Sequence, residues 1–469
     1  MSNWTNRTII REGQNMENQV KKVVIIGCAR SGLGAVKLAK DHGHSVTLYD
    51  KKQRNQFDCG IQEELDKLEK EGVEIAFQEV IDLGIYDLIV VSPGVPLDLP
   101  FIQEAIERGQ KIVGEFEYAS TYCKAPVIAI TGTNGKTTTT SLVGEIMKLV
   151  NAQTFVVGNI GRAFSEDVQA MTTESIAVAE VSSFQLETTQ TFHPHIAALL
   201  NITPDHLNRH KTMENYIKAK AMVTANQTNE DYLILNKKDA YFESVSQESL
   251  AKIIPFHGQE PLDYGVYQAK GKLYANLEEG VEMICEVKDL KIVGAHNVEN
   301  VLAAIAICKA YGIDNAVIKQ GLLHFSGVAH RVEYIGTKKQ IDFYNDSKAT
   351  NTDAAITGLL SMSKPIRLLA GGMDKAVSFK DWIAYFPEKV QKVYVIGECR
   401  EQIIRECHEI GFKAVEAYDT FLEAIHQAVE EAQAGECVLL SPACASWDMF
   451  ESYEERGDIF KEQIKQMKG

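Results

Sequence analysis

From Lys22 onward the chain alternates short apolar runs with longer amphipathic ones. Val23–Ile26 and Ser45–Tyr49 read as strands, separated by a glycine-bearing turn at Gly27–Gly34 and a helical run at Ala35–His42. Val73–Phe77, Leu88–Val91 and Lys111–Val113 continue the strand rhythm, with a helical Ile102–Arg108 between the last two. Strand, glycine turn, helix and a second strand ending in Asp50 is the order of a Rossmann-like unit. This predicts a first domain over 21–120, after a polar leader at 1–20 in which Met16 is the more natural start.

Val127–Ile130, Phe155–Val157, Ile176–Ala179 and Ile196–Leu200 are further buried strands, and Met213–Gln227 is a helical run. Between Asp263 and Val293 the runs shorten and alternate around glycine turns, which predicts an antiparallel appendage. Helices at Val301–Ala310 and Asn315–Leu323 close a central domain over 121–326. Beyond Gly327, strands at Val332–Ile335, Ile341–Tyr344, Ile366–Ala370, Val393–Ile396 and Cys437–Leu440 alternate with helices, giving a third domain over 327–469. One of these helices, Thr420–Ala434, places Phe421, Leu422, Ile425, Ala428 and Val429 on a predicted apolar face.

The candidate chemistry gathers at the ends of the central strands. Thr131–Thr140 reads TGTNGKTTTT between a strand and a helix. Gly132 and Gly135 allow a tight turn whose amides face one centre, Lys136 adds a point charge, and Thr137 or Thr138 offers a hydroxyl to Mg²⁺. The first glycine of the usual phosphate-loop pattern is replaced by Ile130. Glu180 ends the next strand, the usual place for an acidic residue that organises Mg²⁺. The fold class is therefore α/β in three domains: a Rossmann-like N-terminal domain, a central P-loop-type ATPase domain with a mostly parallel sheet and a small antiparallel appendage, and a Rossmann-like C-terminal domain. In the first domain Ala29 replaces the middle glycine of the dinucleotide fingerprint, and its methyl group hinders a pyrophosphate. Asp50 still suits a ribose hydroxyl, so a nucleotide fits that unit better than NAD does.

Composition narrows the partners. The 469 residues are 45% hydrophobic and 24% charged, values of a globular protein of several domains. A formal net charge of −16 disfavours sequence-blind binding to nucleic acid or anionic lipid. The nine cysteines show no C-x-x-C spacing and read as reduced thiols of a cytoplasmic protein. No apolar run approaches the roughly 20 residues of a membrane span. His206 and His210 are spaced i, i+4, but no third zinc ligand accompanies them. On spacing alone, Lys218 and Lys220 read as a solvated helix face.

Taken together, the phosphate loop, Gly158-Asn159-Ile160-Gly161, Glu180 with Ser182-Ser183-Phe184-Gln185, Asp205-His206 and His330-Arg331 closely resemble the Mur ligase family. These are ATP-dependent ligases of cell-wall precursor synthesis. The loops Asn345–Asn351 and Ser441–Ser446 resemble the branch that adds D-glutamate. The resemblance implies three small-molecule substrates, ATP, UDP-N-acetylmuramoyl-L-alanine and D-glutamate, joined through an acyl phosphate by a cytoplasmic monomer. It implies ATP contacts from Gly132, Thr133, Asn134, Gly135, Lys136, Thr137, Thr138, Asn297, Asn300, Arg331 and Asp346. Two Mg²⁺ sites would draw on Thr137, Glu180, His206 and Lys220, the last carrying a carbamate derived from CO₂. With Lys136, the groups at 180, 206 and 220 form the catalytic set. Arg30, Ser31, Asp50, Lys51, Ser92, Gly94, Asn159, Ser182 and Gln185 are implied for the UDP-substrate. Lys348, Thr350, Lys375, Ser446 and Tyr453 are implied for D-glutamate, the family often having Phe at the last position.

Three rivals are weaker. A Mur-type or folyl amide ligase with another amino acid does not account for Asn345–Asn351. An NAD-binding oxidoreductase does not account for Ala29. A non-catalytic nucleotide-binding module does not account for polar strand-end loops in all three domains. A hinge at Ser326–Ala329, with Gly327 absorbing the rotation, is expected to swing the third domain onto the second.

Overall fold

The computed structural model describes residues 21–77, 81–292, 294–374 and 377–467; the leader 1–20 and Lys375 lie outside the described residues. The chain forms two compact units. One holds the residues up to His257 with Asp263–Val266 and Ala303–Ile313; the other holds Gly258–Leu262, Tyr267–Leu302 and the residues from Asp314 onward.

The first unit contains two parallel arrays. Strands β1 (Lys22–Ile26), β2 (Ser45–Asp50), β3 (Glu74–Phe77), β4 (Leu88–Val91) and β5 (Ile112–Gly114) lie in the order β3-β2-β1-β4-β5. All neighbours are parallel. Along β1, Val23 and Ile25 enter one core while Val24 and Ile26 enter another, so both faces are covered and the strand is apolar throughout. The first helix begins earlier than its periodicity predicts, at Arg30 rather than Ala35. The glycines explain this: a Cβ on Gly32 would lie 1.8 Å from the Gly27 carbonyl, so helix and turn close on one another.

The second array comprises β6 (Val127–Thr131), β7 (Thr154–Gly158), β8 (Ile176–Glu180), β9 (Ile196–Leu199), β10 (Tyr232–Asn236) and β11 (Lys252–His257), in the order β11-β10-β9-β6-β8-β7. Every pairing is parallel. The loops that leave β6, β7, β8 and β9 therefore share one carboxyl edge, where such sheets bind ligands.

The helix Glu115–Ser120 joins the two arrays. The Phe116 ring lies 5.2 Å from Phe164 and 4.9 Å from Phe192, and one continuous core runs through both sheets. On either side of Phe116 stands a buried carboxylate. Glu115 accepts from the Ser165 amide (3.0 Å) and hydroxyl (2.5 Å). Glu117 accepts from the Thr191 amide (2.7 Å) and hydroxyl (2.6 Å) and from the Phe192 amide (3.1 Å). Burial raises the Glu115 pKa, and the Ser165 donors pull against that rise.

The second unit carries the predicted antiparallel element. After β12 (Gly265–Ala269), β13 (Lys272–Leu277) pairs antiparallel with β14 (Gly280–Glu286). Its larger sheet comprises β15 (Glu333–Lys338), β16 (Ile341–Asn345), β17 (Ile366–Gly371), β18 (Val390–Ile396), β19 (Val415–Ala417) and β20 (Cys437–Leu440), in the order β15-β16-β20-β17-β18-β19. All pairs are parallel except the β15–β16 hairpin at the edge. The loops after β16, β20 and β17 thus leave adjacent strands at one edge. The helix Phe421–Glu431 buries Phe421, Ala424, Ile425 and Ala428, an i, i+3, i+4, i+7 set, and leaves Leu422 44% exposed. Leu422 therefore does not belong to the apolar face, since it falls outside that repeat.

The junction helix gives a direct test. Glu117→Ala leaves two backbone amides and a hydroxyl without their acceptor, a loss of about 1–3 kcal/mol for each buried group. The expected result is a fall of about 5 °C or more in the thermal transition of the first unit. Calorimetric scanning of the full chain checks it.

Candidate active site

At the carboxyl edge of the central sheet the phosphate loop is built as its residue types demand. Gly135, at φ +84°, ends the loop and caps the helix Lys136–Lys148, which starts within the motif rather than at Ser141. The first turn of that helix, with its unpaired amides, therefore faces the loop. The loop is stitched to the residues after β9: Asn134 N donates to Asn201 Oδ1 (2.8 Å), and Asn201 Nδ2 donates to the Asn134 carbonyl (3.1 Å). The Thr133 hydroxyl donates to the Thr203 carbonyl (3.1 Å) and stands 3.1 Å from the Tyr216 hydroxyl. Thr137 and Thr138 are half-buried at the start of the helix.

Two ammonium groups converge on this loop. Lys136 Nζ donates to the carbonyls of Gly132 and Thr133, both at 2.8 Å. Lys220 Nζ donates to the same Gly132 carbonyl at 2.7 Å. Lys220 is buried and its ammonium lies 4.8 Å from the Tyr216 ring centroid, whereas Lys218 is exposed and pairs with Glu214. Spacing alone makes Lys220 a surface residue; the helix in fact turns that face inward. Burial, and next the nearby Lys136 charge, pull the Lys220 pKa down to about 7.

Glu180 closes β8 beside β6, paired in register with Ile130. It is buried; Asn159 Nδ2 donates to its Oε1 (2.8 Å), and its Oε2 is buried without a hydrogen-bond partner. An orphaned carboxylate oxygen next to a phosphate loop has the chemistry of a hard-cation ligand, so the residues fit Mg²⁺. Gly158 allows this contact: at φ +102°, a Cβ there would lie 2.3 Å from the Glu180 carbonyl.

His206 and His210 face different surroundings. His206 is half-exposed, its backbone is left-handed at φ +52°, and its ring lies 4.9 Å from Phe184. A non-glycine residue held in that conformation, at the start of the turn Leu207–His210, points to a local constraint. His210 is buried, 2.9 Å from Ser183 Oγ and 3.0 Å from Glu187 Oε1.

In the first array, Asp50 Oδ2 accepts from the Cys28 amide (2.8 Å) and its Oδ1 from the Lys52 amide (2.9 Å). Its carboxylate thus shapes the glycine turn. Arg30 is exposed and pairs with Glu166 (3.3 Å), while Ser31 is half-buried and Lys51 exposed. Ser92 turns its buried hydroxyl toward the Gly27 carbonyl (3.4 Å), and Gly94 is exposed. Ser182 caps the helix Ser183–Leu186 in a reciprocal box with Gln185, which is buried.

In the second unit, Asn297 and Asn300 are buried and bonded to each other (3.1 Å). Arg331 is exposed between His330 and Val332, at φ +63° and +44°. Left-handed geometry is costly for a β-branched valine; the Val332 amide is held by Asp346 Oδ1 (3.2 Å). Asp346 also accepts from Ser441 Oγ (2.8 Å), and burial pushes its pKa up to about 7. Lys348 lies 5.3 Å from the Tyr453 ring centroid, Thr350 is half-buried, and Ser446 is buried.

Three domain families match the chain in order. They are the Mur ligase MurD-like N-terminal domain over residues 21–114, the Mur ligase middle domain over 130–308, and the Mur ligase glutamate ligase domain over 330–444. The chain belongs to the Mur ligase family. It is 42% identical to a protein of Lachnoclostridium phytofermentans named UDP-N-acetylmuramoylalanine--D-glutamate ligase, over 96% of this chain and 98% of that one. A protein of the same name from Lachnospira eligens is also 42% identical, over 96% and 100%. Among solved structures, the UDP-N-acetylmuramate-alanine ligase MurC of Thermotoga maritima superposes with a TM-score of 0.57 at 20% identity, covering 96% of this chain and all of that one. MurF of Acinetobacter baumannii gives 0.57 at 18%, covering 81% and 85%. At such identities these two likenesses speak for the Mur ligase fold alone.

Two residues of this Mur ligase escape a reading of the sequence. Arg456 is fully buried on the helix that begins at Tyr453. Its guanidinium donates to Ser347 Oγ and O (both 2.9 Å) and to the carbonyls of Cys444 (3.1 Å) and Ala445 (3.4 Å), with no carboxylate among these partners. Burial lowers its pKa to about 10. Its place three residues after Tyr453, on the same helix face, is the available signal. Arg209 is the other; its type is common on helix surfaces and carries no signal. Among the described residues no helix is long and apolar enough to cross a membrane.

Lys136→Ala removes the loop's cation without touching the core. Loss of such charge stabilisation costs on the order of 10²-fold or more in turnover. The expected outcome is an inactive protein with an unchanged thermal midpoint, checked by ADP release and calorimetry on one preparation.

Proposed function

We propose that this protein is an ATP-dependent ligase that joins D-glutamate to UDP-N-acetylmuramoyl-L-alanine, releasing ADP and phosphate, in the cytoplasmic synthesis of peptidoglycan precursors. The observation that carries this reading is the convergence of Lys136 and Lys220 on the Gly132 carbonyl, in a sheet whose next strand ends in the half-satisfied carboxylate of Glu180. Full-length relatives bearing that name support it.

The chemistry follows from the groups present. ATP lends its γ-phosphoryl to the free carboxylate of the muramoyl-alanine, giving an acyl phosphate and ADP. The amine of D-glutamate adds to the activated carbonyl, and phosphate leaves from the tetrahedral intermediate. Lys136 and the amides of Gly132–Thr138 neutralise the β- and γ-phosphates. Mg²⁺, when bound, neutralises charge on the phosphoryl oxygens. Thr137 and Glu180 would hold one ion, and His206 with a carbamylated Lys220 a second. A pKa near 7 leaves Lys220 partly neutral at physiological pH, and a neutral amine adds CO₂, releasing one proton as the carbamate forms. Asn159, Ser182 and Gln185 would orient the muramoyl end, and Arg30, Ser31, Asp50, Lys51, Ser92 and Gly94 the nucleotide end. Asn297, Asn300, Arg331 and Asp346 would serve ATP. Lys348, Thr350, Lys375, Ser446 and Tyr453 would hold the amino acid, whose two carboxylates call for cations and hydroxyls. The protein acts as a monomer.

ADP release should require D-glutamate, with L-glutamate, L-lysine and no amino acid near background. Rapid turnover with L-glutamate, or with none, removes the assignment.

The Lys220 variants separate carbamate from ammonium. Lys220→Ala should lose about 10²-fold or more in rate and recover part of it in added acetate. In the unaltered protein at low CO₂, activity should climb as pH passes upward through about 7, because the lowered pKa makes the neutral amine grow in that direction. Added bicarbonate should flatten the climb. A flat profile without bicarbonate argues for an unmodified lysine.

A further inference from the structure

Arg209 lies outside every group assigned above, yet its guanidinium bonds residues from both arrays of the first unit. Its Nε (3.1 Å) and one terminal nitrogen (2.9 Å) donate to Glu187 Oε2. The terminal nitrogens also reach the carbonyls of Pro93 (3.1 Å) and Val95 (3.4 Å), in the loop after β4. The guanidinium lies 4.4 Å from the Phe184 ring centroid. A shallow surface depression lies beside it, lined by Ser92, Pro93, Gly114, Gln185, Thr188 and Arg209.

The same residue stands in the single helical turn Leu207–His210. That turn is bracketed by His206 at φ +52° and Lys211 at φ +69°, so non-glycine residues at both ends hold left-handed backbone. Such geometry persists only where the surroundings over-determine it. Glu187 supplies that constraint. One carboxylate oxygen takes Arg209, and the other stands 3.0 Å from His210 Nδ1. Glu187 has only acceptors to offer, so His210 Nδ1–H donates to it and Nε2 accepts the Ser183 hydroxyl. Burial, together with the charge of Arg209, keeps His210 neutral by lowering its pKa to about 4, in line with that tautomer.

We propose that Arg209 is a positioning residue that ties the substrate loop Ser92–Val95 to the turn presenting His206, so that seating the UDP-substrate fixes the second metal ligand. This rests on the function proposed above, in which the loop after β4 meets the nucleotide sugar and His206 meets Mg²⁺. Pro93 and Val95 offer only main-chain oxygens here, so the loop's position depends on a fork that can bond two carbonyls and a carboxylate at once, which a lysine cannot reproduce in full. The Phe184 ring beneath the guanidinium adds a cation–π contact to that fork.

The test uses the full chain with Arg209→Met and Arg209→Lys. Calorimetric titration with UDP-N-acetylmuramoyl-L-alanine, without ATP or D-glutamate, should show about tenfold weaker binding in the Met variant and partial recovery in the Lys variant. In ADP release, the Mg²⁺ concentration for half-maximal rate should rise severalfold, with KM for ATP and for D-glutamate within twofold of the unaltered protein. If the Met variant does not fold, Glu187→Gln, which keeps shape and removes the charge partner, should show the same pattern to a smaller degree. Unchanged substrate binding overturns the proposal, as does weaker binding with an unaltered Mg²⁺ requirement, or an equal rise in all three KM values. The binding titration involves no turnover, so its outcome stands even if the unaltered protein fails to ligate D-glutamate.

Discussion

Two positive charges meeting on one carbonyl oxygen is the constraint around which the first unit is arranged. Lys136 and Lys220 arrive at Gly132 from different helices, and both donate there to main-chain oxygen. Like charges in a buried setting are tolerated only if one gives up its proton or an anion arrives. The loop therefore holds two lysines against one oxygen, and the buried one is the lysine whose pKa falls to about 7. The neighbouring strand β8 and the segment after β9 carry a carboxylate with a spare oxygen at Glu180 and an imidazole on left-handed backbone at His206.

Much of the scaffold is legible in the sequence because the strands are buried on both faces and read as continuous apolar runs. Glycine turns mark where the loops fall, and the sheet order places those loops on adjacent strands. What is not legible comes from helix faces. The sequence around Lys220 has weak amphipathic contrast, so its burial cannot be read from spacing. Leu422 invites a place in the core because leucine is apolar, whereas the repeat that packs runs through Phe421, Ala424, Ile425 and Ala428. The glycine turn hides the start of the first helix, since Gly32 is there for close approach and also tolerates helical geometry. Of the candidate site, the phosphate loop and Glu180 follow from residue chemistry, while the amino-acid loops rest on resemblance. Arg209 stays hidden because an arginine that bonds main-chain carbonyls leaves no mark in the sequence, and Arg456 is marked only by its spacing from Tyr453.

The second unit solves a different problem with a similar device. Ser347 and the residues Cys444–Ala445 leave neighbouring strands, and Arg456 gathers them with one buried guanidinium. A buried cation satisfied by carbonyls and a hydroxyl keeps its positive field. The loops bearing Lys348 and Ser446 are thus gathered beside one buried cation.

The helix Glu115–Ser120 fixes more than stability. Because Phe116 and its two flanking carboxylates lock the first sheet to the central one, the span from the β1, β2 and β4 loops to the phosphate loop has a set length. A ligand gripped by its nucleotide at one end presents its far end at one distance only. The pair of sheets is therefore a gauge.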